Sequence, residues 1–378
     1  MVSYILDTNV ALWNILERKV RFMRIWRFVI TGGPCAGKTT CLSILEQALT
    51  QKGFKVIVVS ETATELINSG ITPWELNSEL FQSLLIDRSI NKEDTACTAA
   101  FFFKKDVVIL YDRGLLDCKA YISQNDFNKI LHLRNTTENE ILNSYDGIFH
   151  LVTAAKGAEE FYTLANNTAR KETPEQAIEL DDKTQCAWIG HPNFRVIDNS
   201  TNFEEKIDRL LNEVYSIMGL PISRHVQMKF LIEMPTESIF ASIRGLHKVE
   251  IFQTYLYSED NSIERRIRQV GSNNTYSFYY TEKREMPNSV ILKNERRLSQ
   301  EEYLSLLMNG EKSIRKTRYY FLSQNQYFFL DTYSDWKDKA ILEIDLTYEN
   351  KSVFIPNWIK VIQDVTNIPD FKNRNLAH

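Results

Sequence analysis

Apolar and polar residues follow two different rhythms along this chain, and the rhythm changes near residue 220. In the first half, apolar runs at 25–30, 54–60, 107–111, 148–153 and 194–197 are separated by stretches with helical spacing. From 38 to 50, Cys41, Ile44, Leu45 and Leu49 recur every few residues, and Gly53 follows as a stop. Continuous apolar runs alternating with helices predict buried parallel strands, hence a doubly wound α/β domain. The stretch 203–219 predicts a closing helix, with Gly219 at its end and Pro221 just beyond. After Pro221 the runs at 226–232, 249–257, 263–269, 276–281, 319–322, 327–332 and 341–346 are short and rich in β-branched and aromatic residues. Only 300–308 reads as a clear helix there. Serial strands of this kind predict an α+β domain built on a mainly antiparallel sheet or barrel.

The expected division is an N-terminal extension at 1–23, a first domain at 24–219, a second at 220–350 and a closing segment at 351–378. The opening Tyr4-Ile5-Leu6-Asp7-Thr8-Asn9-Val10 resembles the first strand of a PIN-type nuclease. A lone Asp7 cannot assemble the carboxylates that hold catalytic metals, so the extension is expected to carry no chemistry.

Charge and cysteine content narrow the function classes. A net charge of −4 argues against nucleic-acid binding by bulk electrostatics. The five cysteines, Cys35, Cys41, Cys97, Cys118 and Cys186, are odd in number and form no C-x-x-C pair. That pattern suits free thiols in a reducing compartment. No run approaches the roughly 18 apolar residues of a membrane span, and a cytoplasmic protein is expected.

The strongest chemical signal is Gly32-Gly33-Pro34-Cys35-Ala36-Gly37-Lys38-Thr39, followed by Thr40. It fits G-x-x-x-x-G-K-[ST] between a predicted strand and a predicted helix. Glycines let backbone N–H groups wrap around phosphate, and the helix N-terminus favours the anion. Lys38 is expected on the β/γ-phosphates and the Thr39 hydroxyl on Mg²⁺. Asp112 ends the third strand and is the expected partner of Mg²⁺, while Arg113 either reaches phosphate or pairs with a neighbouring acid. Glu61 ends the second strand. It is read equally as a base for an acceptor hydroxyl and as a helix N-terminal acid. Arg170, in a polar stretch after the fourth strand, is read as a lid arginine. The segment Asp198-Asn199-Ser200-Thr201 either borders the nucleotide base or caps the next helix. ATP and GTP are not distinguished, since no base-reading motif stands out.

From residue 28 to about 219 these pieces resemble the NadR-like AAA-type P-loop domain, related to nicotinamide riboside kinases and deoxynucleoside kinases. The resemblance implies that Glu61 lies at the acceptor site and Arg170 in the lid.

In the second half, charges alternate within strands. Arg266 and Arg268 flank Ile267, Lys316 and Arg318 flank Thr317, and Glu343 and Asp345 flank Ile344. Period two sends each pair to one face. That face is either a solvated exterior or an interior filled by a polyanion and a divalent cation. Residues 225–348 resemble a CYTH domain, the triphosphate tunnel fold. The matching pieces are Lys229, 253–256, Arg266–Arg268, Lys316–Arg318, Leu330-Asp331 and 342–345. The resemblance implies that Lys229, Arg266, Arg268, Lys316 and Arg318 bind phosphates, and that Glu343 and Asp345 hold Mg²⁺ or Mn²⁺. The family opens its first strand with E-x-E-x-K, where this chain has His225, Gln227 and Lys229. Losing two carboxylates weakens metal binding.

The pairing of the two domains resembles the TRPL-translocation-defect proteins. That resemblance implies a nucleotide-binding regulator whose second domain takes a phosphorylated small molecule or phospholipid head group, with peripheral membrane contact. A nucleoside-type or other small-molecule kinase is the alternative, and a tunnel triphosphatase comes third.

Overall fold

The computed structural model describes residues 23–162, 173–222, 226–260, 262–272, 275–286, 290–348 and 352–378. Residues 1–23 fall outside it apart from Met23, as do Arg170 and His225.

Five strands form a parallel sheet: β1 (Ile25–Gly32), β2 (Lys55–Val59), β3 (Val107–Asp112), β4 (Gly147–Leu151) and β5 (Phe194–Ile197). Their order is β2-β3-β1-β4-β5. The helices of this half are α1 (Lys38–Gln51), α2 (Thr62–Asn68), α3 (Ser78–Ala100), α4 (Gln124–His132), α5 (Glu138–Leu142), α6 (Pro174–Ala187) and α7 (Phe203–Met218). Side chains alternate across the sheet, so both faces are apolar. Phe28, Ile30, Val108, Leu110, Phe149 and Leu151 pack with Leu42, Leu45 and Leu49 of α1 and with Leu210 and Val214 of α7. Val29, Ile109, Tyr111 and Ile148 face the other way, toward α3 and α4. The expected doubly wound α/β architecture is therefore present.

The second half contains β6 (Val226–Glu233), α8 (Glu237–Ser242), β7 (His247–Leu256), β8 (Ile263–Ser272), β9 (Thr275–Met286), β10 (Val290–Leu298), α9 (Gln300–Leu307), β11 (Gly310–Ser323), β12 (Gln326–Tyr333), β13 (Lys339–Leu346), β14 (Val361–Asp364) and α10 (Asn373–Leu376). Nine strands form one antiparallel sheet in the order β10-β9-β8-β7-β11-β12-β13-β6-β14. One face of β6, β12 and β13 packs apolar side chains, among them Phe230, Ile232, Phe328, Leu330, Leu342 and Ile344. The other face carries charge.

The two sheets share a core. Trp188, Ile189 and Phe194 of the first half cluster with Val249, Ile251, Tyr320, Tyr327 and Phe329 of the second. The Tyr327 hydroxyl accepts a hydrogen bond from Gly190 N at 2.9 Å. The segment after residue 350 also packs down: β14 pairs with β6, and Val365 and Ala377 are buried.

Candidate functional site

The phosphate loop joins β1 to α1. Gly32 has φ of 146°, and a Cβ there would lie 2.1 Å from the Leu151 carbonyl oxygen. No other residue fits so close to backbone. Gly37, at φ 83°, turns the chain into α1 as its N-cap. The Lys38 ammonium is buried and donates to the carbonyls of Gly32 (3.0 Å) and Gly33 (2.9 Å). Thr39 and Thr40 are exposed in the first turn, where the Thr39 hydroxyl is free to meet a cation.

The loop is braced from beneath by Asp181 of α6, whose role the sequence did not reveal. Its Oδ1 accepts from Gly33 N (2.9 Å) and Thr153 N (3.1 Å) and contacts His150 Nε2 (2.9 Å). Its Oδ2 accepts from Lys156 Nζ (2.9 Å) and Gln185 Nε2 (3.0 Å). Burial alone would raise the pKa of this carboxyl. His150 and Lys156 outweigh it and hold the group below the usual carboxylate range. Gly33 is needed here too, since a Cβ would press on Asp181 at 2.8 Å.

At the carboxyl ends of β2 and β3, three charged side chains converge. Glu61 Oε1 accepts from Arg113 Nε at 2.5 Å, and Arg113 also donates to the Gly32 carbonyl at 3.3 Å. Arg113 adopts φ of 70°, a strained value for a side-chain-bearing residue. Burial opposes ionisation of Glu61, but Arg113 and a hydrogen bond from Thr64 bring its pKa down to about 2. Asp112 behaves oppositely. Burial, with repulsion from Glu61, raises its pKa, and its Oδ1 is buried without a hydrogen-bond partner among the described residues. An orphaned carboxylate oxygen at a strand end beside Lys38 has the donor chemistry to hold a hard cation.

A cavity of about 720 Å³ opens from these groups. Pro34, Glu61, Asp112 and Arg113 line it on the side of the phosphate loop and strand ends, and Trp74, Phe81, Leu85, Tyr111 and Tyr121 supply aromatic and apolar lining. Gln82 and Glu93 also line it. Gln82 is 6% exposed, and its Oε1 has no hydrogen-bond partner among the described residues. Glu93 accepts from Tyr145 OH and Arg27, both at 2.8 Å, while burial pushes its pKa up to about 6.

The segment after β5 corrects one expectation. The cap of α7 is Asn202, whose side chain accepts from Glu205 N at 2.9 Å, so residues 198–201 do not cap that helix. Asn199 instead donates to the carbonyls of Thr153 and Lys156, both at 2.8 Å, and accepts from Lys206 at 2.6 Å. Asp198 pairs with Arg209 at 2.9 Å. These bonds fasten the loop after β4 beside the phosphate loop.

In the second sheet, the alternating charges do not form a solvated exterior. Lys316, Arg266 and Glu343 are 4%, 9% and 3% exposed. Lys229 and Arg318 each meet Glu343 at 2.7 Å. Asp331 takes Lys316 at 2.5 Å and Arg318 at 2.6 Å. Asp345 departs from the expected metal role. It accepts from Gln227 Nε2 at 2.8 Å and lies 3.4 Å from Arg195 of β5, which also binds Glu213 at 2.8 Å. A carboxylate spent on an arginine of the first domain is a poor cation ligand.

Residues 27–206 match the family model of the AAA domain. This segment is an AAA-type P-loop domain. No curated protein matches the chain. Two solved structures are among its neighbours, described as the hypothetical protein NE1496 and the inorganic triphosphatase NE1496. The first is 26% identical, covers 41% of this chain and 97% of its own, and has a TM-score of 0.30. The second is 25% identical, covers 41% and 95%, and has the same TM-score. In the AAA-type domain, the phosphate loop was legible because its spacing is fixed by phosphate itself. Asp181, Gln82 and Glu93 were not, because each sits within a helix and only tertiary packing gives it a role.

Proposed function

We propose that the AAA-type domain transfers the γ-phosphoryl group of a Mg²⁺-bound nucleoside triphosphate to a hydroxyl of a small acceptor held in the 720 Å³ cavity. The observation that carries this reading is that Pro34 of the phosphate loop lines this cavity together with Glu61, Asp112 and Arg113. A switch that only bound nucleotide would have no need of a large, partly apolar chamber opening onto its phosphate loop. The reading moves the small-molecule kinase ahead of the purely regulatory protein expected from the sequence.

Phosphoryl transfer asks a protein mainly for positioning and charge. Backbone N–H groups of residues 33–39 and the Lys38 ammonium would hold the β- and γ-phosphates. Thr39 and Asp112 would hold Mg²⁺, which neutralises charge on the phosphate oxygens. In the transfer, the bond from γ-phosphorus to the β-bridging oxygen breaks and a bond to the acceptor oxygen forms. The nucleoside diphosphate leaves, and the hydroxyl proton passes to a carboxylate. Glu61, which lines the cavity, would take that proton. With its pKa near 2 it is a weak base, but a loose transition state demands little proton removal before bond formation. Its contact with Arg113 also aims the guanidinium toward the Gly32 carbonyl and the phosphate loop. The resemblance to NadR-like proteins favours a nucleoside-type acceptor, and the absence among the described residues of a helix able to cross a membrane is compatible with a cytoplasmic setting.

The test is phosphate transfer from ATP and GTP to a panel of nucleosides and other hydroxyl compounds. Wild type should show acceptor-dependent turnover. Lys38→Ala should lose it by about 10²–10³-fold, and Glu61→Gln should keep nucleotide binding while losing transfer. Full transfer by Glu61→Gln would remove its assigned role. Tight nucleotide binding with no acceptor-dependent turnover on the whole panel would return the protein to the regulatory reading.

A further inference from the structure

Helix α6 meets three parts of the molecule. Its first half borders the cavity through Gln176 and Leu180. One residue on, Asp181 accepts from Gly33 N of the phosphate loop, and a turn later Gln185 lies on the same face. Just past the helix end the chain is pinned to the second domain. Gly190, at φ 112°, donates its N–H to the Tyr327 hydroxyl at 2.9 Å, and a Cβ there would lie 2.7 Å from the His247 ring. Ile189 closes on Gly245, where a Cβ would lie 2.9 Å from its Cδ1. Contacts this tight make the carboxyl end of α6 move with the second sheet.

The polar link runs through Gln185, which is buried. Its Nε2 donates twice, to Asp181 Oδ2 at 3.0 Å and to Asn325 Oδ1 at 3.1 Å. Asp181 decides this orientation. An ionised carboxylate only accepts, so the glutamine must turn its nitrogen toward it, and the second N–H is left for another acceptor. Asn325 supplies that acceptor from the second domain. It sits at the tip of the hairpin between β11 and β12, where Gln324 and Asn325 adopt φ of 49° and 56°. Asparagine tolerates the left-handed region better than most residues and brings an amide oxygen with it. The hairpin is anchored in turn by Gln326, whose side chain donates to the Ser352 carbonyl at 2.6 Å and accepts from Phe354 N at 2.9 Å.

We infer that Asn325 is a positioning residue for the phosphate loop: the second domain, acting through Gln185 and Asp181, holds Gly33 in the conformation that receives nucleotide. The inference rests on nucleotide binding at that loop and adds the second sheet to the parts that sustain it. Gly33 N spends its hydrogen on Asp181 rather than on a phosphate, so this bond sets the shape of the loop. A loop without its brace must be ordered at the moment of binding, and that entropy is subtracted from affinity. By the same linkage, a bound nucleotide strengthens the contact between Gln185 and the hairpin. Nucleotide occupancy and the seam between the domains are thereby coupled through three side chains.

The experiment is a double-mutant cycle on the full chain with Asn325→Gly and Gln185→Leu, with thermal melts to establish that each variant is folded. Glycine keeps the left-handed turn while removing the acceptor. Hydrogen exchange without nucleotide follows the Gly33 amide, and calorimetric titration of ATP and GTP with Mg²⁺ gives the affinity. Asn325→Gly should speed exchange at Gly33 and raise the nucleotide Kd about fivefold. In the Gln185→Leu background the same change should add nothing to either readout, because the path is already cut. A hairpin that served stability alone would give additive effects. Additive effects, or wild-type exchange and affinity in Asn325→Gly, overturn the inference. A wild type that binds neither nucleotide contradicts nucleotide binding at the phosphate loop instead, and exchange at Gly33 then still decides whether Asn325 holds that loop.

Discussion

Replacing Asp181 with asparagine should loosen the phosphate loop and cost stability together. The variant keeps the size of the side chain and one carbonyl oxygen. That oxygen can still accept from Gly33 N and Thr153 N, which lie 2.9 and 3.1 Å from Oδ1. The new amide nitrogen then faces Lys156 Nζ and Gln185 Nε2, at 2.9 and 3.0 Å, and both are donors. Two hydrogen bonds become donor–donor contacts in a site where Asp181 is fully buried. Lys156 retains Asp182 at 2.5 Å, which limits the damage. Breaking a buried ion pair by removing one partner costs about 3–5 kcal/mol, so a loss near ~3 kcal/mol is expected at neutral pH. In a chain of this size that lowers Tm by roughly 4 °C. The sign with pH follows from the depressed pKa of Asp181. Its stabilisation is present above the ordinary aspartate value and is lost as pH falls through the lower folded-state value. The gap between wild type and variant should therefore narrow in acid. Thermal melts from pH 3 to 8, with nucleotide titrations alongside, measure both effects. A variant that melts within 1 °C of wild type at pH 7.5 and binds nucleotide equally would refute the brace.

Two further outcomes follow from geometry already described. Gln82→Leu removes an unpartnered buried acceptor from the cavity wall, so steady-state kinetics should show the acceptor KM raised about tenfold or more with kcat little changed, and an unchanged KM would place the acceptor elsewhere. Arg195→Met leaves Glu213 and Asp345 without their shared cation, and should lower stability by about 3 kcal/mol in denaturant melts, whereas a smaller loss than that of an exposed pair would mean the contact is incidental.

The parallel sheet was legible because its central strands are buried on both faces and read as mainly apolar runs, 107–111 the clearest of them. The antiparallel sheet was legible only where one face is apolar. β10 went unread because Lys293, Glu295 and Arg297 alternate through it, and polar alternation looks like loop when the polar face turns inward. β11 starts at Gly310 rather than near 319 for the same reason, since Lys312, Lys316 and Arg318 precede or fill its apolar stretch. The short β14 is exposed along its length and offers no apolar signal. Period two did place Arg266 with Arg268 and Lys316 with Arg318. Sequence spacing could not disclose that Asp345 belongs to Arg195, because that contact joins strands about 150 positions apart in different sheets.

The core shared by Trp188, Phe194, Val249, Tyr320 and Tyr327 has an engineering consequence. A gene cut near codon 220 would follow the visible change of rhythm, yet each product would display half of an aromatic seam to solvent. Such fragments should stick to one another and to themselves, and co-expression rather than separate purification is the route by which they would become soluble. Natural exchange of either half for another module faces the same barrier, so the two are expected to be inherited as one unit.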